Sequence, residues 1–110
     1  MILSPYQLSE NFIKEKLTLI KDGSLDLTNY DGSNKVYGET TSTIKADIEV
    51  TNSKFYFNIL KGGSTGLAES YVRDEFKTAD LTSLIELTAK NINLTHRFSG
   101  ILQIKLLKNL

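Results

Sequence analysis

The sequence predicts an α+β domain: a helix, a small antiparallel sheet of about three or more strands, and a helical C-terminal half packed against that sheet. Three observations predict it. Ile44, Ala46, Ile48 and Val50 alternate with Lys45, Asp47, Glu49 and Thr51, the period of a half-buried strand. Ile13, Leu17 and Ile20 recur at spacings of 4 and 3, a helical stripe. From Ser53 onward every segment reads as helix, so helices and strands are segregated along the chain, and segregated order argues α+β.

Each element follows from local chemistry. Ser4-Pro5 suits a helix start, with Ser4 as cap and Pro5 in the first turn, and Gly23 is expected to end that helix. Leu25 and Leu27 alternate with Asp26 and Thr28, as in a strand half buried against a core. Asn29-Tyr-Asp-Gly-Ser-Asn34 is a turn cluster, after which Val36-Tyr37 begins a return strand. With the alternating strand of residues 44–51, the expected topology is an antiparallel meander.

Composition bounds the function. A chain of 110 residues makes a single domain, 1–110, able to bury about two-thirds of its unfolded surface. Lys and Arg equal Asp and Glu at 13 each, so no net field draws in nucleic acid or an anionic membrane. A single His and no Cys remove the usual zinc, iron–sulfur and disulfide readings. No apolar run is long enough to span a bilayer and no secretory signal opens the chain, so the cytoplasm is the expected compartment. There is no nucleotide fingerprint, P-loop or Gly-x-Ser-x-Gly elbow. His96 alone is a thin basis for a triad or a metal site, and Asn93-Leu94-Thr95 matches a glycosylation acceptor that no signal supports.

The most specific stretch is Phe55-Tyr-Phe-Asn-Ile-Leu-Lys-Gly-Gly-Ser-Thr-Gly-Leu-Ala-Glu-Ser-Tyr71. Here an aromatic helix runs into Gly62, Gly63 and Gly66. Glycines this close together mean either positive φ or a very near neighbour. On one reading, Gly62 and Gly63 end a helix and Gly66 lets the next pack closely. On the other, loop amides before a helix hold an anionic headgroup. Glu69 lacks a second acid or a base and reads as a partner for loop amides or a first-turn charge; Tyr71 reads as a core wall with its hydroxyl near the surface.

The same residues carry a family resemblance. Phe55, Leu60, Gly62-Gly63-Ser64, Gly66-Leu67 and Glu69-Ser70-Tyr71, continued by Asp80-Leu81, Leu84-Ile85 and Asn91, resemble the N-terminal domain of the cyclopropane-fatty-acyl-phospholipid synthase family. Gly23-Ser-Leu-Asp-Leu, Asp31-Gly32 and Tyr37-Gly38 fit the same pattern, so the likeness runs from about Leu17 to the C-terminus. There are departures. Ala68 stands where the family has glycine, Val72 replaces Met, Phe76-Lys77 replaces an aromatic-acidic pair, and Arg73-Asp74 replaces Asp-Gly, so the tight turn at that point is expected to be lost.

The resemblance implies a bacterial, non-catalytic accessory domain of a lipid-biosynthetic methyltransferase, without catalytic residues or metal of its own. S-adenosylmethionine would belong to a catalytic domain whose glycine-rich cofactor loop is missing from these 110 residues. The implied partners are that domain or a homodimer mate, and transiently the phospholipid surface of the inner membrane. Gly62, Gly63, Ser64, Gly66, Glu69 and Tyr71 are the candidate lipid or interdomain interface. The alternative is a stand-alone, sterol-carrier-like lipid-binding protein with an apolar cavity. Near the C-terminus, Phe98, Ile101, Leu102, Ile104, Leu106, Leu107 and Leu110 spread too widely round a helix for one core contact, which predicts a docking face over residues 98–110.

Overall fold

A computed structural model describes residues 3–94. His96 and the expected docking face over residues 98–110 lie outside the described residues. The fold is α+β: a four-stranded sheet with helices on one of its faces.

Helix α1 spans Pro5–Leu17, with the Ser4 hydroxyl accepting the Gln7 N–H at 3.1 Å. It stops at Leu17 rather than at Gly23. The N–H groups of Leu19 and Ile20 bond three residues back, a tightened last turn that still buries Ile20. Gly23 serves a different end: a Cβ there would lie 2.5 Å from Leu87 Cδ1 and 3.1 Å from the Ile44 carbonyl oxygen.

Strand β1 (Ser24–Thr28) buries Leu25 and Leu27 and exposes Asp26. The Asn29–Asn34 cluster is a turn, with Asp31 Oδ1 accepting from the Ser33 amide and hydroxyl. Strand β2 (Asn34–Gly38) returns antiparallel to β1. Strand β3 (Lys45–Val50) then pairs with β1 in parallel, so the sheet is mixed and the expected meander does not form. The strand order is β2-β1-β3-β4. Residues 39–44 make this possible by passing round the start of β1. The Glu39 N–H donates to the Gly23 carbonyl (2.8 Å), and the Ser24 N–H donates to the Ile44 carbonyl (2.9 Å). Gly38, at φ 88°, lets that chain turn directly against Gly23.

Helix α2 (Lys54–Val72) is two helical segments joined at Gly63, whose φ 57° and ψ −129° are not helical. It ends in a turn at Asp74, which takes φ 57°. The turn expected to be lost with the Asp-Gly pair therefore survives, because a short aspartate tolerates the left-handed region. Strand β4 (Phe76–Lys77) follows where helix was expected, pairing antiparallel with β3 and burying Phe76 beside Val50. Asp47 on β3 accepts from Thr78 Oγ1 and the Ala79 N–H, fixing the exit from β4. Helix α3 (Leu81–Lys90) is capped by Asp80, which accepts the Ser83 N–H at 3.1 Å, and residues 92–94 are again helical.

The core lies between the sheet's inner face (Leu25, Leu27, Tyr37, Ala46, Ile48, Val50) and Ile13, Phe55, Tyr56, Leu84 and Leu87 of the helices. The outer face carries Asp26, Asn34, Lys45 and Glu49, all exposed. Among the described residues no helix is long and apolar enough to cross a membrane.

Candidate functional site

The three glycines of the junction do three different jobs. Gly62 faces open space: a Cβ there would meet nothing within 4 Å. Gly63 is buried and supplies the break between the segments of α2. Gly66 is buried where the second segment crosses the first, and any Cβ would overlap the Asn58 carbonyl oxygen. Gly63 breaks the helix and Gly66 lets the second segment pack closely on the first, as the packing reading expects of these two glycines.

This kink places the second half of α2 across a groove from α3. Ser64, Leu67, Ala68, Tyr71 and Val72 form one wall of an apolar groove, and Leu84, Ile85, Thr88 and Ala89 form the other. The groove encloses about 450 Å³. Phe76 lies at its base, with the Tyr71 ring 5.6 Å from it. Val72 is 80% exposed and Ile85 59%, and Tyr71, Leu81 and Ile92 are also exposed, so apolar surface concentrates here. Scattered single leucines need no explanation on a soluble protein, but a contiguous apolar groove marks an interaction site.

Behind the groove lies an apolar cavity of about 80 Å³ between the sheet and all three helices. Leu67, Leu84 and Thr88 line both spaces and separate them. Gly63 lines the cavity, and Thr88 and Asn91 are its polar side chains.

Of the candidate interface residues, the structure brings Ser64 and Tyr71 into the groove and Gly63 to the cavity; Gly62, Gly66 and Glu69 line neither. Among the described residues Glu69 bonds no loop amide. It faces Arg73 at 3.9 Å with both side chains about half exposed, an ion pair of little consequence. Tyr71 is more exposed than a core wall would be, though its ring does rest on Phe76.

Two buried polar clusters went unread in the sequence. The Glu75 side chain, 5% exposed, accepts Asn58 Nδ2 at 2.7 Å, and its carbonyl oxygen accepts the Thr51 and Asn52 amides. Asn58 within an otherwise apolar run was the available signal. The second cluster centres on Glu10, also buried. Its carboxylate accepts from Lys14 Nζ (2.8 Å), Asn29 Nδ2 (3.1 Å) and the Tyr30 hydroxyl (2.7 Å), while Asn29 Oδ1 accepts the Tyr56 hydroxyl (2.7 Å). α1, the β1–β2 turn and α2 are thereby tied together. Burial alone would raise the Glu10 pKa. Hydrogen bonds from Lys14 and Tyr30, the Lys14 charge and the Asn29 bond outweigh it and hold the carboxyl below its ordinary 4.5. Burial pushes the Tyr56 phenol well above the usual tyrosine value.

A pH dependence follows. The folded state depresses the Glu10 pKa, so its stabilising contribution is fully present above the ordinary 4.5 and is lost as pH falls below it. Urea unfolding between neutral pH and about pH 3 is expected to show a steeper loss of stability in wild type than in Glu10→Gln. Equal slopes would mean that this carboxylate is not held ionised.

Among the described residues no three His, Cys, Asp or Glu side chains gather as a metal site would require. No protein-family model, curated protein or solved structure matches the chain.

Proposed function

We propose that this chain is a non-catalytic accessory domain of a cyclopropane-fatty-acyl-phospholipid synthase-like methyltransferase, and that it meets the catalytic domain through the α2–α3 groove. The observation that carries the reading is the groove itself. It is apolar and exposed, and it is built in part by Ser64 and Tyr71 from the stretch that most resembles that family. Such a surface suits a partner that stays docked while phospholipid is engaged at the membrane. S-adenosylmethionine, in this reading, is held by the catalytic domain.

The small size of the inner cavity favours this over a free-standing carrier that encloses its lipid there. A dry cavity of about 150 Å³ takes only a benzene-sized guest. The inner cavity formed by the described residues, about 80 Å³, has no room for an acyl chain, which leaves only the open α2–α3 groove.

The test is reconstitution with the catalytic domain of a cyclopropane synthase that has been stripped of its own N-terminal domain. Titration calorimetry is expected to show binding that Ile85→Lys abolishes while circular dichroism is unchanged. The chain alone, given labelled S-adenosylmethionine and unsaturated phospholipid vesicles, is expected to transfer no methylene carbon above background. Transfer by the chain alone, or binding indifferent to Ile85→Lys, overturns the proposal.

A further inference from the structure

We propose that the outer edge of β2 is a self-pairing surface, on which a second copy of this chain adds its own β2 antiparallel, centred on Val36. The sheet's two edges are not alike. β4 is a two-residue strand, too short to template a partner. β2 runs for five residues without proline, and its register against β1 is continuous, so no bulge disrupts it.

The bonds at its two ends fix which backbone groups are free. The Asn29 N–H donates to the Ser33 carbonyl, and the Glu39 N–H donates to the Gly23 carbonyl. An antiparallel ladder alternates bonded and non-bonded pairs, so Lys35 and Tyr37 bond inward to Leu27 and Leu25. Asn34, Val36 and Gly38 therefore turn their N–H and C=O groups outward. The Asn34 amide side chain donates to Asp26, Thr28 and the Leu27 carbonyl, which draws it towards β1 and away from the free edge.

The side chains fit a copy of themselves. A two-fold axis at Val36 sets valine against valine on the outer face, where Val36 is 47% exposed. The same axis sets Lys35 of one copy opposite Tyr37 of the other. Lys35 Nζ already lies 5.1 Å from the centre of its own Tyr37 ring, and among the described residues it has no carboxylate within ion-pair distance. A register centred one residue earlier would oppose two lysines and would find the backbone groups of Lys35 already used by β1. Hydrogen-bond phase and charge thus select the same alignment. A single short strand pair is a small interface, so the dimer is weak and reversible.

Sedimentation velocity and amide hydrogen exchange from micromolar to millimolar protein test this. The expected result is a concentration-dependent dimer in which exchange of the Val36 amide slows as dimer accumulates. Val36→Lys places two like charges on the axis and is expected to weaken association at least tenfold with unchanged circular dichroism. Ile85→Lys, in the α2–α3 groove, is expected to leave it unchanged. Should Val36→Lys disturb folding, protection of the Val36 amide in wild type decides alone. A protein monomeric throughout, a dimer that survives Val36→Lys in a folded chain, or one dissolved by Ile85→Lys overturns the proposal.

Discussion

Replacing Gly66 by valine is expected to destabilise this domain more than any other exchange in the glycine-rich junction. The obstacle is backbone: a Cβ at Gly66 would overlap the Asn58 carbonyl oxygen and come 3.3 Å from Ile59 Cα. A flexible side-chain end could swing aside, but a carbonyl inside the first helical segment moves only if the two halves of α2 separate. Overpacking of this kind costs ~1–3 kcal/mol where side chains absorb it, and the rigid partner puts Gly66→Val at or above the upper end. A domain of this size loses roughly 4–8 °C of Tm per kcal/mol, so a drop of more than about 10 °C is expected.

Two neighbours calibrate the result. Gly63→Val should cost at least about 1–3 kcal/mol, the usual strain of a non-glycine residue held at φ 57°. Gly62→Ala meets nothing within 4 Å, so it is expected to be neutral, or to stabilise by up to about 1 kcal/mol through helix propensity. Thermal melts of the three variants separate the mechanisms. If Gly66→Val melted with wild type, the close crossing of the two segments would be refuted.

The sequence carried the elements further than their arrangement. Residues 44–51 were legible as a strand because alternation over several positions has few other causes. The same pattern says nothing of direction, so the parallel pairing of β3 with β1 was invisible. β4 was missed because two residues, Phe76 and Lys77, have no period. The turn at Asp74 was missed because glycine is the usual sign of positive φ and an aspartate supplies it here. At the candidate site, Ser64 and Tyr71 were found through the resemblance, and they do meet in one groove. Glu69 shares that stretch, but it lines neither the groove nor the cavity and faces Arg73 instead. Glu10 reads along the chain as an ordinary exposed helix charge. Its partners Asn29 and Tyr30 lie 19 and 20 residues away, beyond the reach of any local pattern.

The second large effect is expected at the Asn58–Glu75 contact, where the burial of a carboxyl depends on one side-chain donor. Glu75 is 5% exposed, and Asn58 Nδ2 donates to its Oε1 at 2.7 Å. Asn58→Leu nearly preserves volume while removing that donor. A buried acceptor left unsatisfied costs ~1–3 kcal/mol, more when it is charged, so a loss of about 3 kcal/mol is expected. Glu75→Leu alone should cost less, because the orphaned amide is neutral. When both partners become apolar the unsatisfied groups disappear together, and such pairs can be nearly neutral. The double variant Asn58→Leu with Glu75→Leu should therefore be more stable than Asn58→Leu alone. Its coupling energy, read from urea midpoints in a double-mutant cycle, should exceed about 1 kcal/mol. Additive losses would show that the two side chains act independently and that the 2.7 Å contact contributes little. A positive coupling would locate the join between α2 and β4 in this pair, since Glu75 also accepts the Thr51 and Asn52 amides where β3 leads into α2.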